Sequence, residues 1–191
     1  MKRMGEKSKS QQGGFSLIEI LIVVAIVVVI AAIAVPNLLR SKVAGNEASA
    51  IGSLRNIMSA EAAYKAMYGA GYSNDLRSLG GQAENAQASC TTALLLDAGL
   101  AKGIAANQTE KSGYRFTFTP GTQEFKPDSA VTTGCAMGKE DGYAIQADPV
   151  DPGMSGKRHF CADASGVIRV DLAKQIPVTA PTCSSEAPAL Q

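Results

Sequence analysis

The stretch from Phe15 to Val35, FSLIEILIVVAIVVVIAAIAV, holds 21 residues, of which only Ser16 and Glu19 are polar. Wound as an α-helix at ~1.5 Å per residue it would reach ~31 Å, close to the ~30 Å hydrocarbon thickness of a bilayer. A helix that is apolar all round needs a large protein core or a lipid surrounding. The 156 residues that follow Val35 suffice for one modest domain, not for a core of that size. The run therefore predicts a single membrane-spanning helix.

The flanks orient it. Lys2, Arg3, Lys7 and Lys9 stand against Glu6 before the run, a net of +3. The positive-inside bias keeps such an end cytoplasmic and sends the rest across. A secretory signal peptide also begins basic and apolar, and Ala32-Ile33-Ala34 resembles a cleavage site. Signal-peptide apolar segments are, however, about 7 to 15 residues long, shorter than this one.

Glu19 is the exception to be explained. A carboxylate near the centre of a bilayer costs about 2.5 to 3.5 kcal/mol on insertion scales, less near an interface, and such residues mark a partner or a function. A cut between Gly14 and Phe15 would create a free amine four residues from Glu19. A neighbouring copy shifted along the helix axis could then set its amine against that carboxylate. Buried pairs of this kind add little net stability but fix register.

Gly14-Phe15-Ser16-Leu17-Ile18-Glu19, the short basic leader and Pro36 at the end of the run resemble the amino-terminal signature of the type IV pilins and pseudopilins. The resemblance covers about the first 55 residues. It implies that a prepilin peptidase cleaves after Gly14 and methylates the new amine of Phe15. It also implies that Glu19 docks each subunit into a growing filament. The expected organisation is a leader at 1–14, removed; a membrane and filament-core helix at 15–35; an amphipathic continuation at 36–68; and a globular head at 69–191.

Past Pro36, Val43, Ala44, Ala48, Ile51, Leu54, Ile57, Met58 and Ala62 recur at helical spacing, with Arg40, Lys42, Glu47, Arg55 and Lys65 mostly between them. This predicts an amphipathic helix that ends at Tyr68-Gly69-Ala70-Gly71. Pro36 lacks the amide donor and crowds the preceding turn, so a kink or local unwinding is expected near Ala32 to Pro36.

The head reads as a short helix and an antiparallel sheet. TTALLLDAGLA (91–101) predicts a helix capped by Thr91 or Thr92, with Gly103 beyond it. In GYRFTFTP, Tyr114, Phe116 and Phe118 alternate with Arg115 and Thr117, a strand stopped by Pro120-Gly121. A second strand runs from Tyr143 to Ala147. RHFCADASGVIRV reads as a hairpin of His159–Ala162 and Val167–Val170 about a turn at 163–166. The fold class expected is thus α+β: a long amino-terminal helix, membrane-spanning in its first half, whose second half packs on a small antiparallel head, as in pilins.

Cys90, Cys135, Cys161 and Cys183 all lie outside the membrane in this topology, where an oxidising compartment favours two disulfides. Three connectivities are open. We favour Cys161 with Cys183, which would fasten the tail PVTAPTCSSEAPALQ to the hairpin, leaving Cys90 with Cys135. The carboxy-terminal disulfide of many pilins points the same way.

Composition narrows the chemistry. With 18 basic and 17 acidic residues the chain has no overall basic field, so nucleic acid is disfavoured as a partner. One histidine, His159, precludes a multi-histidine metal site and reads as an ordinary surface residue of a strand. Asp141, Asp148, Asp151 and Asp163 could offer oxygens to calcium but lack EF-hand spacing and read as solvated turn residues. No Gly-rich phosphate loop is present. Neither catalytic activity, nor a metal, nor a cofactor is expected.

The resemblance implies a structural subunit that forms a homopolymer with other pilin subunits. Its partners would be the prepilin peptidase, a platform protein and assembly ATPase, and inner-membrane lipid before assembly. The chain would sit in the bacterial inner membrane with its amino terminus cytoplasmic and then in a filament serving roles such as adhesion or twitching. The alternatives are a pseudopilin of a type II secretion system, a minor pilin whose tip binds DNA or a surface, and a membrane-anchored periplasmic enzyme built on His159. No aromatic residue lies between Phe15 and Tyr64, which weakens an electron-carrying role.

Overall fold

The computed structural model describes residues 14–81, 87–101, 107–126, 135 and 138–190. The leader cations and Glu6 lie outside these residues. The chain divides into two compact units, one up to Leu39 and one from Arg40 onward.

A single α-helix, α1 (Leu17–Tyr68, 52 residues), contributes to both. Among the described residues it is the one helix long and apolar enough to cross a membrane, with a mean hydropathy of 3.3 over its most apolar window. Pro36 lies inside it, and the local unwinding expected there does not occur. Proline removes its own amide from the ladder and crowds the i−4 carbonyl, yet the helix is continuous on both sides. α1 ends where two glycines take left-handed φ values, Gly69 (58°) and Gly71 (84°). The Gly69 amide donates back to the Lys65 carbonyl at 3.1 Å, a bond that satisfies one terminal acceptor.

In the second unit a five-stranded antiparallel sheet follows chain order: β1 (Gln108–Lys111), β2 (Tyr114–Pro120), β3 (Tyr143–Pro149), β4 (His159–Asp163) and β5 (Ile168–Asp171). β2 is the predicted alternating strand, with Tyr114, Phe116 and Phe118 at 0 to 2% exposure. β3 runs two residues beyond its expected end, and β4–β5 is the expected hairpin. The polar strand β1 was not foreseen. It joins β2 through Ser112 (φ 51°) and Gly113 (φ 73°), a two-residue link whose paired positive φ values match the twist of the flanking strands.

The helix expected at 91–101 is a correction. Only α3 (Ala98–Ala101) is helical there, begun by Asp97, whose carbonyl receives the Leu100 and Ala101 amides. The preceding leucines are drawn away, because the Leu95 and Leu96 amides donate to Leu79 O at 2.7 and 2.9 Å. Leu79 closes α2 (Leu76–Leu79), a single turn absent from the sequence reading and capped by Asp75, which accepts from the Ser78 amide.

One face of the sheet packs on the second half of α1. Leu54, Ile57, Tyr64, Leu76, Leu79, Leu100, Tyr114, Phe116, Phe118, Ile145 and Phe160 share this core. The buried stripe of α1 is rotated from the expected one: Ala44, Ala48 and Ala62 are exposed, and Glu47, Ala50, Ser53, Ala60 and Glu61 join Leu54 and Ile57 inside. The opposite face of the sheet holds a smaller cluster of Ala144, Cys161, Ile176, Cys183 and Ala187. The carboxy-terminal segment supplies most of it, including a tight ribbon of β6 (Val178–Thr179) and β7 (Thr182–Cys183).

That segment is fastened by several kinds of bond. Cys161 on β4 is bridged to Cys183 on β7 (Cα–Cα 6.0 Å), and Cys90 to Cys135 (Cα–Cα 5.6 Å). Gln146 Nε2 donates to Ile176 O at 2.7 Å. Beyond β7 the chain lies along β5: the Val170 amide donates to Pro188 O and the Leu190 amide to Ile168 O, about an antiparallel bridge of Arg169 with Ala189.

Candidate assembly site

The amino-terminal end of α1 gathers the residues singled out by the sequence. Gly14 has open space where a Cβ would stand. Phe15 follows at 77% exposure, ahead of the helix. The first turn is closed by Glu19 N and Ile20 N donating to Ser16 O at 3.1 and 3.3 Å. Glu19 stands in this turn, where a negative charge complements the unpaired amides and the positive end of the helix dipole. Phe15, Leu17, Ile20, Leu21, Val24 and Ala25 line an apolar groove on the same stretch.

Every side chain from Phe15 to Lys42 is exposed in the isolated chain. A contiguous apolar surface of that length marks a site of contact with lipid or protein. Chemically, the arrangement presents a long apolar surface with one carboxylate near its start and Gly14 ahead of it.

The other sequence candidates are scattered. His159 is half-buried rather than an ordinary surface residue: its Nδ1 lies 2.7 Å from Asp148 Oδ1, and Asp148 Oδ2 accepts from Gln175 Nε2 at 2.7 Å. Asp141 accepts from the amides of Thr122 and Gln123 and from the Thr122 hydroxyl, and the Thr122 amide, with these other donors, holds its carboxyl below the usual value. Asp163 accepts from Ser165 and from the Cys183 amide, tying the β4–β5 turn to the disulfide. Asp151 accepts through its backbone from the Ser155 hydroxyl. Among the described residues no three His, Cys, Asp or Glu side chains converge as a metal site.

Two glutamates escaped the sequence reading. Glu47, placed there on the solvated face, is buried at 7% exposure; its carboxylate accepts from the Lys157 amide at 3.0 Å and from Arg158 Nε at 2.7 Å. Glu61 is fully buried and accepts from the Ser73 amide at 2.9 Å. Their spacing was a signal: positions 47, 50, 54, 57, 61 and 64 step by three and four, which sets both glutamates on one stripe with Leu54, Ile57 and Tyr64.

No curated protein and no solved structure matches the chain. The long apolar helix followed by a five-stranded antiparallel sheet is a pilin-like α+β architecture. Residues 9–35 match the family model described as the prokaryotic N-terminal methylation motif, so the chain carries the amino-terminal signature of the type IV pilins and pseudopilins.

Proposed function

We propose that the protein is the structural subunit of a type IV pilus-like filament. Prepilin peptidase removes residues 1–14 by cutting after Gly14 and methylates the amine of Phe15. The processed chain waits in the inner membrane through residues 15–35, with the head on the outer side. A platform protein and assembly ATPase then move it into the filament, where the apolar helices bury one another's surface.

Burial of apolar area at about 25 cal/mol per Å² supplies the cohesion. Such packing is indifferent to axial shifts, so a polar pair is needed to select one. Glu19 against the amine of a neighbour's Phe15 provides that selection. Kinking at Pro36 belongs to this reading as a way of fitting the helix into the filament. The observation that carries the proposal is the wholly exposed apolar first half of α1, with Glu19 in its first turn, inside the matched motif.

Intact mass and amino-terminal sequencing test it, applied to native membranes and to sheared surface material. A chain beginning at methylated Phe15 in the sheared fraction is the expected result. The same chain confined to the envelope would favour a pseudopilin or minor subunit. A chain beginning after Ala34 would mean a cleaved signal peptide and would overturn the filament reading.

A further inference from the structure

Glu61 stands in the middle of the head core, on the buried stripe of α1, at 0% exposure. Ser73, also at 0%, meets it from the segment that leaves the helix. Glu61 Oε2 accepts from the Ser73 amide at 2.9 Å, and the Ser73 hydroxyl makes a short contact with Glu61 Oε1. The same hydroxyl lies 3.0 Å from the Asp75 carbonyl oxygen.

These contacts can be counted in protons. A serine hydroxyl has one, a carbonyl only accepts, and an ionised carboxylate only accepts. With Glu61 ionised, the Ser73 hydroxyl can serve fully only one of its two acceptors. With a proton on Glu61 Oε1, both are served: the acid donates to Ser73 Oγ, and the Ser73 hydroxyl donates to the Asp75 carbonyl. We propose that Glu61 is held as the neutral acid and, through Ser73, forms a proton-operated clasp between α1 and residues 69–75.

The surroundings agree with that assignment. The groups facing Glu61 are Tyr64 on α1, Tyr143 on β3 and Asp75 on the clasped segment, none of them a cation. The nearby Lys65 ammonium is directed over the Tyr72 ring, 4.4 Å from its centroid, and Tyr72 in turn packs edge-on to Tyr143. Among the described residues no ion pair reaches Glu61. Burial, only partly offset by the Ser73 bonds, raises its pKa to about 7 from 4.5.

The clasp has consequences beyond its own bonds. It fixes the chain between Gly69 and Asp75, and Asp75 caps α2, whose Leu76 and Leu79 enter the main core. Because the closed form binds the extra proton, closure weakens as pH rises from about 4.5 to about 7 and then levels off. Linkage with these two values makes opening about tenfold more frequent when pH rises from about 6 to about 8.

The test uses the full processed chain in detergent, with its glutamates labelled at the side-chain carboxyl carbon. The expected result is one carboxyl resonance titrating near pH 7 in the wild type and missing in Glu61→Gln. Amide exchange of residues 69–79, corrected for the intrinsic rate, should accelerate about tenfold from about pH 6 to about 8 in the wild type and stay level in the variant. If every glutamate titrates below about pH 5.5, or if wild-type exchange is independent of pH, the clasp is wrong. Both decisive readings come from the wild type, so they stand even if the variant folds poorly.

Discussion

Removing the Cys161–Cys183 bridge should destabilise the head by an amount that follows from its loop length. The two cysteines are 22 residues apart. In the chain-entropy account, closing such a loop lowers the disorder of the unfolded chain by an amount equivalent to about 3.4 kcal/mol at 25 °C. Native bonds should largely survive in a Cys161→Ala, Cys183→Ala double variant. Gln146 still reaches Ile176 O, the Asp163 carboxylate still receives the residue 183 amide, and the tail still lies along β5. The loss should therefore appear through the unfolded state, with a melting temperature lower by about 7 to 14 °C for a chain of this size. Equilibrium guanidinium unfolding in detergent, with Cys90–Cys135 intact, measures the free energy directly. The longer Cys90–Cys135 separation of 45 residues provides an internal comparison. Its paired removal should cost about 4.0 kcal/mol, slightly more than the first. A loss below about 1 kcal/mol for the Cys161–Cys183 variant would refute the reasoning, since the bridge would then constrain little that the unfolded chain is free to explore.

Other perturbations separate processing, assembly and packing. Glu19→Ala should leave cleavage and methylation intact and abolish filaments in sheared material, so normal filaments from this variant would remove Glu19 from assembly. Gly14→Val should instead leave the full-length chain with its leader, as read by intact mass. Gly156→Ala should cost about 1 to 3 kcal/mol by overpacking, because the new methyl would run into the buried Tyr114 ring and its hydroxyl, which donates to Arg158 O; an unchanged unfolding midpoint would mean that the Gly156 loop yields freely. Phe116→Ala, at the centre of the same core, should cost about 3 to 5 kcal/mol, measured in the same unfolding experiment.

The parts of this fold that could be read from sequence are those whose pattern needs no partner to be seen. The apolar run is one. The Tyr114, Phe116, Phe118 alternation is another, since a strand with one face on the core must repeat every second residue. The polar strand Gln108–Lys111 had no such pattern; it is a strand because the Ser112–Gly113 link returns the chain beside β2. Three consecutive leucines, 94 to 96, looked helical, yet the Leu95 and Leu96 amides found the Leu79 carbonyl, and Leu94 takes a positive φ of 57°. Local propensity lost there to a distant acceptor. Glu47 reads as one of the charges on the wet face and Glu61 carries no mark of its own in the pattern, although both positions fit the buried stripe. The amino-terminal motif at residues 9–35 could be recognised because it is contiguous in sequence, while the roles of Gly14, Phe15 and Glu19 within it belong to the proposal.

The strip of carboxy-terminal chain along β5 has a bearing on crowding. Sheet edges are templates on which another chain can add a strand. Here residues 188–190 already occupy one side of the meander. The opposite side, β1, is four residues long and carries Glu110 and Lys111, each in an ion pair, with Arg115 and Asp97. Short, charged borders discourage strand addition. Heads brought to high local concentration would therefore be protected from fusing into continuous sheets, and in the filament we propose cohesion between copies would fall to the apolar helices.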